Sequence, residues 1–138
     1  MIEKLNILVI DDDAGVREVV ASHLLAQSYA VTACETAEEG LRLLTEQEFS
    51  LVISDIKLAG INGFEFLKLA RARRPEIGII LMTAYEEEFP LSEALRAGAD
   101  GYITKPFSLS KFSLIFERAY WNALSRQDWW AAHEKEIS

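Results

Sequence analysis

The sequence predicts an α/β domain, a doubly wound (βα)5 parallel sheet. Short apolar runs alternate with amphipathic segments along nearly the whole chain, and five such pairs can be counted. The apolar runs are almost unbroken, as expected of strands covered on both faces. Alternation of this kind implies right-handed crossovers with helices on both sides of one sheet. The 138 residues fit one domain with a sizeable core, and 50% of them are hydrophobic.

Taken in order, "NILVI" (Asn6–Ile10) is the first strand. The first helix follows, with Val16, Val19, Val20 and Leu24 on one stripe. "YAVTAC" (Tyr29–Cys34) is the second strand, and Ala37 to Leu44 the second helix, with Leu41 and Leu44 facing inward. "SLVIS" (Ser50–Ser54) is the third strand and ends at Asp55. Phe64, Leu67 and Ala70 mark the third helix, closed by Arg73, Arg74 and Pro75. "IGIILMT" (Ile77–Thr83) is the fourth strand, and Leu91 to Ala97 a short helix capped by Gly98. "GYIT" (Gly101–Thr104) is the fifth strand, and a long helix begins near Ser110. That helix carries Phe112, Phe116, Ala119, Tyr120, Ala123 and Leu124 at helical spacing, and the rhythm continues through Gln127, Trp130, Ala131 and Glu134.

A net charge of −8 and a pI near 4.8 argue against a nucleic-acid surface in this segment. Cys34 has no cysteine to pair with, which fits a reducing compartment, and reads as a small semi-buried hydrophobe. No apolar run reaches the roughly 18 residues of a membrane span. Glu3, Lys4 and Asn6 interrupt the N-terminal apolar stretch, unlike a signal peptide. The expected location is cytoplasmic, with no membrane partner.

In open parallel sheets, sites form at the carboxyl ends of the strands. That rule selects Asp11, Asp12 and Asp13 after the first strand, Asp55 after the third, Thr83 after the fourth and Lys105 after the fifth. Adjacent aspartates at a half-buried strand end repel, so either the run is a solvated turn or a cation belongs among them. Hard oxygen donors suit Mg²⁺ (or Mn²⁺). Asp55 is then the candidate nucleophile, because a carboxylate can attack phosphorus to form an aspartyl phosphate. Lys105 supplies a mobile positive charge to one phosphoryl oxygen, and Thr83 a hydroxyl donor to another. Asp12 is the expected direct metal ligand, and Asp13 is expected outside the metal shell because successive residues leaving a strand cannot all face one point. Asp11 is a second ligand or acts through water, and Asp13 caps the first helix.

These residues resemble the receiver domains of two-component response regulators. The resemblance covers about residues 4 to 124 and rests on "ILVIDDD", "LVISDIKLAGINGFEFL", "IILMTA" and "AGADGYITKPF". It implies a flavodoxin-like sheet of order 2-1-3-4-5, like that of the chemotaxis regulators. It implies Asp55 as phosphoacceptor, and a metal site of Asp11, Asp12 and the backbone carbonyl of Lys57. Thr83 and Tyr102 match the switch pair, and Lys105-Pro106 the peptide that is often cis in the family. It further implies a signalling switch rather than an enzyme in the ordinary sense, one that catalyses its own phosphorylation and dephosphorylation. Its partners would be a sensor histidine kinase and an output domain or partner protein, with transcriptional output among the expectations.

Two departures stand out. Ala59 occupies a position where the family commonly has proline, and Lys57 sits two residues after Asp55, where its side chain can lean over the site. Lys57 and Tyr85 are therefore expected to modulate the lifetime of the phosphorylated state. The rival is a haloacid-dehalogenase-type phosphatase using Asp11, since "DDDAG" contains D-x-D. Gly15 stands where that motif carries Thr or Val, no cap insertion fits, and Asp55 would have no role. A non-phosphorylated interaction module would have lost an acidic or lysine position, and none is lost. A flavin site would want a Ser/Thr/Gly-rich loop after the first strand. His23 is read as a packed boundary residue, and Glu86, Glu87 and Glu88 as a solvated loop before Pro90 in a first helical turn. The output surface is expected on the fourth helix, fifth strand and fifth helix, near Phe89, Tyr102 and Phe107.

The domain expectation is a receiver over 1–124 and a helical extension or linker over 125–138. All three tryptophans, Trp121, Trp129 and Trp130, lie on the last helix or this extension. Two readings stay open for it: a signalling helix that pairs with a second copy as a homodimer, or a packed or frayed end.

Overall fold

The computed structural model describes residues 5–137 and consists of five strands alternating with five helices. These are β1 (Asn6–Ile10), α1 (Ala14–Ala26), β2 (Ala30–Cys34), α2 (Ala37–Glu46), β3 (Leu51–Asp55), α3 (Gly63–Arg73), β4 (Gly78–Thr83), α4 (Leu91–Ala97), β5 (Gly101–Thr104) and α5 (Leu109–Ile137). Every strand pair is parallel and the order is β2-β1-β3-β4-β5. β1, α4 and β5 have the bounds expected from the sequence, and the other elements differ from them by one or two residues at an end, as helix and strand ends commonly do. Pro90, expected inside the first turn of α4, is its N-cap residue. The N-terminal interruption by Glu3 and Lys4 falls outside the described residues. No described helix is long and apolar enough to cross a membrane.

Alternation along the central strands splits the core in two. Leu8, Ile10, Val52, Ile79 and Leu81 face α2, α3 and α4, where Leu44, Phe66, Leu67 and Ala94 fill the layer. Ile7, Val9, Ile53, Ile80, Met82 and Ile103 face α1 and α5, and pack on Val20, Leu24, Phe112, Phe116 and Ala119. Residues of β3 and β4 are buried without exception, which is why their sequences read as continuous apolar runs. Cys34 is buried, and burial pushes its thiol up to about 11, so it is protonated at neutral pH.

Val19 departs from the expected stripe: it is 51% exposed. It lies one residue round the helix from buried Val20 and lines a shallow groove with Val16, Pro106 and Phe107 rather than the sheet. On the extension, Ala131 is exposed and Trp130 half-buried, so the apolar rhythm outruns the surface it could cover; the Glu134 side chain lies outside the described residues. Up to Gln127 the helix is held to the domain. Arg126 donates to Asp100 Oδ1 and Oδ2 at 2.8 and 2.7 Å and to the Ile77 carbonyl at 2.9 Å. Gln127 donates to the Ser50 carbonyl at 3.1 Å.

Candidate functional site

Register puts the strand ends side by side. Ile10 lies opposite Ser54, Asp55 opposite Met82, and Thr83 opposite Thr104, so the residues that follow β1, β3, β4 and β5 share one edge. Asp11, Asp12 and Asp55 each place a carboxylate oxygen within 4.8 Å of the others'. Lys105 also reaches this group, 2.7 Å from Asp11 Oδ2 and 3.3 Å from Asp55 Oδ2. The Lys105–Pro106 peptide is cis.

Each aspartate of the triple run has its own surroundings. Asp11 is fully buried: its Oδ1 accepts from the Asp13 N–H at 2.9 Å, its Oδ2 from Lys105, and its carbonyl from Arg17 Nη1 at 2.7 Å. Asp13 turns away and caps α1, its Oδ1 accepting from the Gly15 and Val16 N–H groups at 2.8 and 3.2 Å. Asp12 alone is exposed while still reaching the cluster. The repulsion anticipated for three adjacent charges is therefore met by a lysine, by backbone donors and by the helix N-terminus.

Asp55 is 6% exposed at the end of β3. Burial, with Asp11 and to a lesser extent Asp12 nearby, pushes its carboxyl up to about 6; Lys105 opposes the shift. Burial works against the Lys105 ammonium, but its hydrogen bonds and charge contacts with Asp11 and Asp55 outweigh it and hold its pKa above the ordinary value. The backbone beyond Asp55 is tightly packed. Gly63 donates its N–H to the Ile56 carbonyl at 2.7 Å, and a Cβ there would lie 2.7 Å from the Asp55 carbonyl and 2.8 Å from the Ile56 Cα. Only glycine lets α3 start so close to this aspartate.

Thr83 is fully buried, and its Oγ accepts from the Tyr85 N–H at 2.9 Å, which leaves its own O–H as a donor. Tyr102 donates its hydroxyl to the Phe89 carbonyl at 2.7 Å, tying β5 to the loop before α4. Lys57 spans from the loop after β3 to the same β4–α4 loop: its Nζ lies 4.3 Å from the centre of the Tyr85 ring and 3.5 Å from Glu88 Oε2. The acidic run read as a solvated loop thus has one member engaged at the site's edge. Sequence reasoning also passed over Arg17 and Gly63. Arg17 lies one turn past the cap residue Asp13, where an arginine gives no spacing signal, whereas Gly63 directly after the helix-capping Asn62 was a readable hint of close backbone approach.

A five-stranded sheet of this order with an acidic pocket and a lysine at its carboxyl edge is the arrangement of a class of signalling domain, the receivers. The family model for the response regulator receiver domain matches residues 7–117, and the chain belongs to that family. It is 40% identical over 102 residues to the response regulator protein FleR of Pseudomonas aeruginosa, covering 74% of this chain and 22% of that one. It is 37% identical over 101 residues to the transcriptional regulatory protein AfsQ1 of Streptomyces coelicolor, covering 73% and 44%. Among solved structures, a CheY-like receiver domain protein from Methanospirillum hungatei aligns with a TM-score of 0.82 at 30% identity, over 89% of this chain and 98% of that one. The chain spans less than half the length of these two curated relatives. It is a receiver domain of the two-component response regulator type.

Proposed function

We propose that this receiver accepts a phosphoryl group on Asp55 from the phosphohistidine of a sensor histidine kinase and passes the change to an output domain or partner protein. The observation that carries the reading is the convergence of Asp11, Asp12, Asp55, Thr83 and Lys105 on one sheet edge, with Lys105 bridging the Asp11 and Asp55 carboxylates. Asp12, Asp11 and the Lys57 backbone carbonyl would hold Mg²⁺ or Mn²⁺; the carboxylate oxygens of Asp11, Asp12 and Asp55 lie within 4.8 Å of one another, and hard oxygen donors so clustered fit such an ion. When bound, it neutralises charge on the phosphoryl oxygens.

The rest is done by the chain. Asp55 Oδ supplies the electron pair that forms the new O–P bond as the P–N bond to the donor imidazole breaks, and the imidazole leaves with the electrons of the P–N bond. Lys105 shifts from its contacts with Asp11 and Asp55 to a phosphoryl oxygen, which it meets as an already protonated ammonium. The Thr83 hydroxyl donates to a second oxygen, and its inward pull on the β4–α4 loop loosens the Tyr85 N–H bond it now accepts. Tyr102, joined to that loop through the Phe89 carbonyl, then repositions with it and alters the surface of α4, β5 and α5. The groove of Val16, Val19, Pro106 and Phe107 beside the acidic pocket gives a kinase helix an apolar place to rest.

The test is incubation with excess Mg²⁺ and a small phosphodonor, followed by borohydride reduction and peptide mass mapping. The expected product carries one modification at Asp55, and none forms in Asp55→Asn. Label at Asp11 would instead support a dehalogenase-type phosphatase, and no Mg²⁺-dependent label at all would remove the phosphoacceptor reading.

A further inference from the structure

A second recess, sharing no residue with the acidic pocket, opens between α1 and α5 with a volume of about 270 Å³. Its walls are aromatic: Tyr29, Phe116, Tyr120 and Trp121, with Tyr29 meeting Phe116 at 5.3 Å and Tyr120 at 6.5 Å between ring centres, and Trp121 edge-on to Tyr120 at 5.9 Å. His23 closes one side and is fixed there by Ser113 at 2.8 Å. Glu117 is the one carboxylate in the lining, and among the described residues it forms no salt bridge and no side-chain hydrogen bond. Its charge reaches the wall: burial, then Tyr120 and Glu117, raise the Tyr29 phenol above its ordinary value.

Aromatic faces attract cations, and a free carboxylate beside them adds a directed partner. Nothing in the recess supplies a fixed positive charge, and the chain as a whole is at −8, so the field favours a cationic guest. Size narrows the choice. Pockets for drug-sized ligands run from roughly 300 to 1,000 Å³, so about 270 Å³ suits one side chain better than a cofactor. Guanidinium is planar, weakly hydrated and able to stack on a ring while its fork meets a carboxylate; an ammonium is compact and strongly hydrated. Trp121, 58% exposed at the rim, leaves indole surface for a partner to cover.

We propose that this recess is a socket for an arginine side chain of a protein partner, with Glu117 as its counter-ion and Tyr29, Tyr120 and Trp121 as its walls. It is an interaction site separate from the phosphoryl chemistry, and it stands whether or not Asp55 is the phosphoacceptor.

The test follows the Trp121 indole N–H by NMR in the full chain, with excess Mg²⁺ to occupy the acidic pocket. The probes are a blocked alanine pentapeptide with a central arginine, the same peptide with citrulline, and free arginine. Saturable shifts are expected for the arginine peptide, with affinity on the order of millimolar and about fivefold tighter than for the citrulline peptide. Glu117→Gln, an exposed and nearly isosteric change, should weaken the arginine peptide by a similar factor. Equal binding of the citrulline peptide, or undiminished binding in Glu117→Gln, would overturn the charge-based assignment. Free arginine binding more tightly than the peptide would overturn the protein-partner assignment in favour of a small-molecule site. Shifts confined to residues around Asp11 and Asp12 would overturn the socket itself.

Discussion

As the proposed phosphoacceptor, Asp55 would combine two demands that pull against each other, since burial among carboxylates shields a nucleophile from water but disfavours its charge. With its pKa moved from 3.8 to about 6, the folded chain binds a proton there more tightly than the unfolded chain does. The sign follows from linkage: stability falls as pH rises from about 4 to about 6, and the loss persists above that window. Asp55→Asn should therefore stabilise the fold at neutral pH in metal-free buffer by about 1–2 kcal/mol once solvent screening is counted, read as a higher melting temperature. The gain should vanish below about pH 4, where the wild-type carboxyl is already protonated. Melting curves at several pH values with chelator check it, and a gain independent of pH would assign the effect to packing instead. At the same scale, Lys57 and Tyr85 form a cation–π pair at the mouth of the site. Each of Lys57→Ala and Tyr85→Ala is expected to change the dephosphorylation rate severalfold, because either opens the approach of water to the acyl phosphate. Unchanged time courses in both variants would discard the idea.

At the scale of elements, the site was legible because its chemistry falls at strand ends. A parallel sheet brings the residues after each strand to one edge, so the order of apolar runs sufficed to select Asp11, Asp12, Asp55, Thr83 and Lys105. What could not be read depends on side chains meeting across the molecule. Asp100 is the clearest case. It sits between α4 and β5 with its side chain 5% exposed, and it holds both Arg71 of α3 at 3.0 Å and Arg126 of α5 at 2.7 Å. Each arginine looked like an ordinary charge on a helix, and only the packing of α3, α4 and α5 makes them converge. Val19 failed for the opposite reason, as periodicity gives a stripe but not how far the sheet extends beneath it. Because the carboxylate offsets two largely desolvated cations, Asp100→Asn should destabilise the domain by roughly 2–4 kcal/mol. Arg126→Ala should cost less, since Arg71 still pairs with Asp100, and its effect should concentrate in fraying of α5 beyond Ala123. Urea titration followed by circular dichroism, with amide exchange along α5, separates the two outcomes.

For the molecule as a whole, the extension is continuous with α5, and its first residues are tied to Ser50 and Ile77, just before β3 and β4, and to the α4–β5 loop through Gln127 and Arg126. The exposed Trp121 and Trp129 remain open for a partner, a second copy of the chain among them. Sedimentation of the full chain against a version ending at Leu124 tests the homodimer proposal: a dimer is expected for the longer chain alone, and two monomers would remove the idea. Between Leu109 and Ile137 the helix contains neither glycine nor proline, the residues at which helices most often bend. Its 29 residues span about 43 Å. Arg126 grips it with some 16 Å still to run, so a tilt of about 10° at that grip would displace the far end by roughly 3 Å. In mechanical terms the helix is a lever with its fulcrum on Asp100, and small rotations at the α4–β5 face are magnified in proportion to the length of arm beyond it.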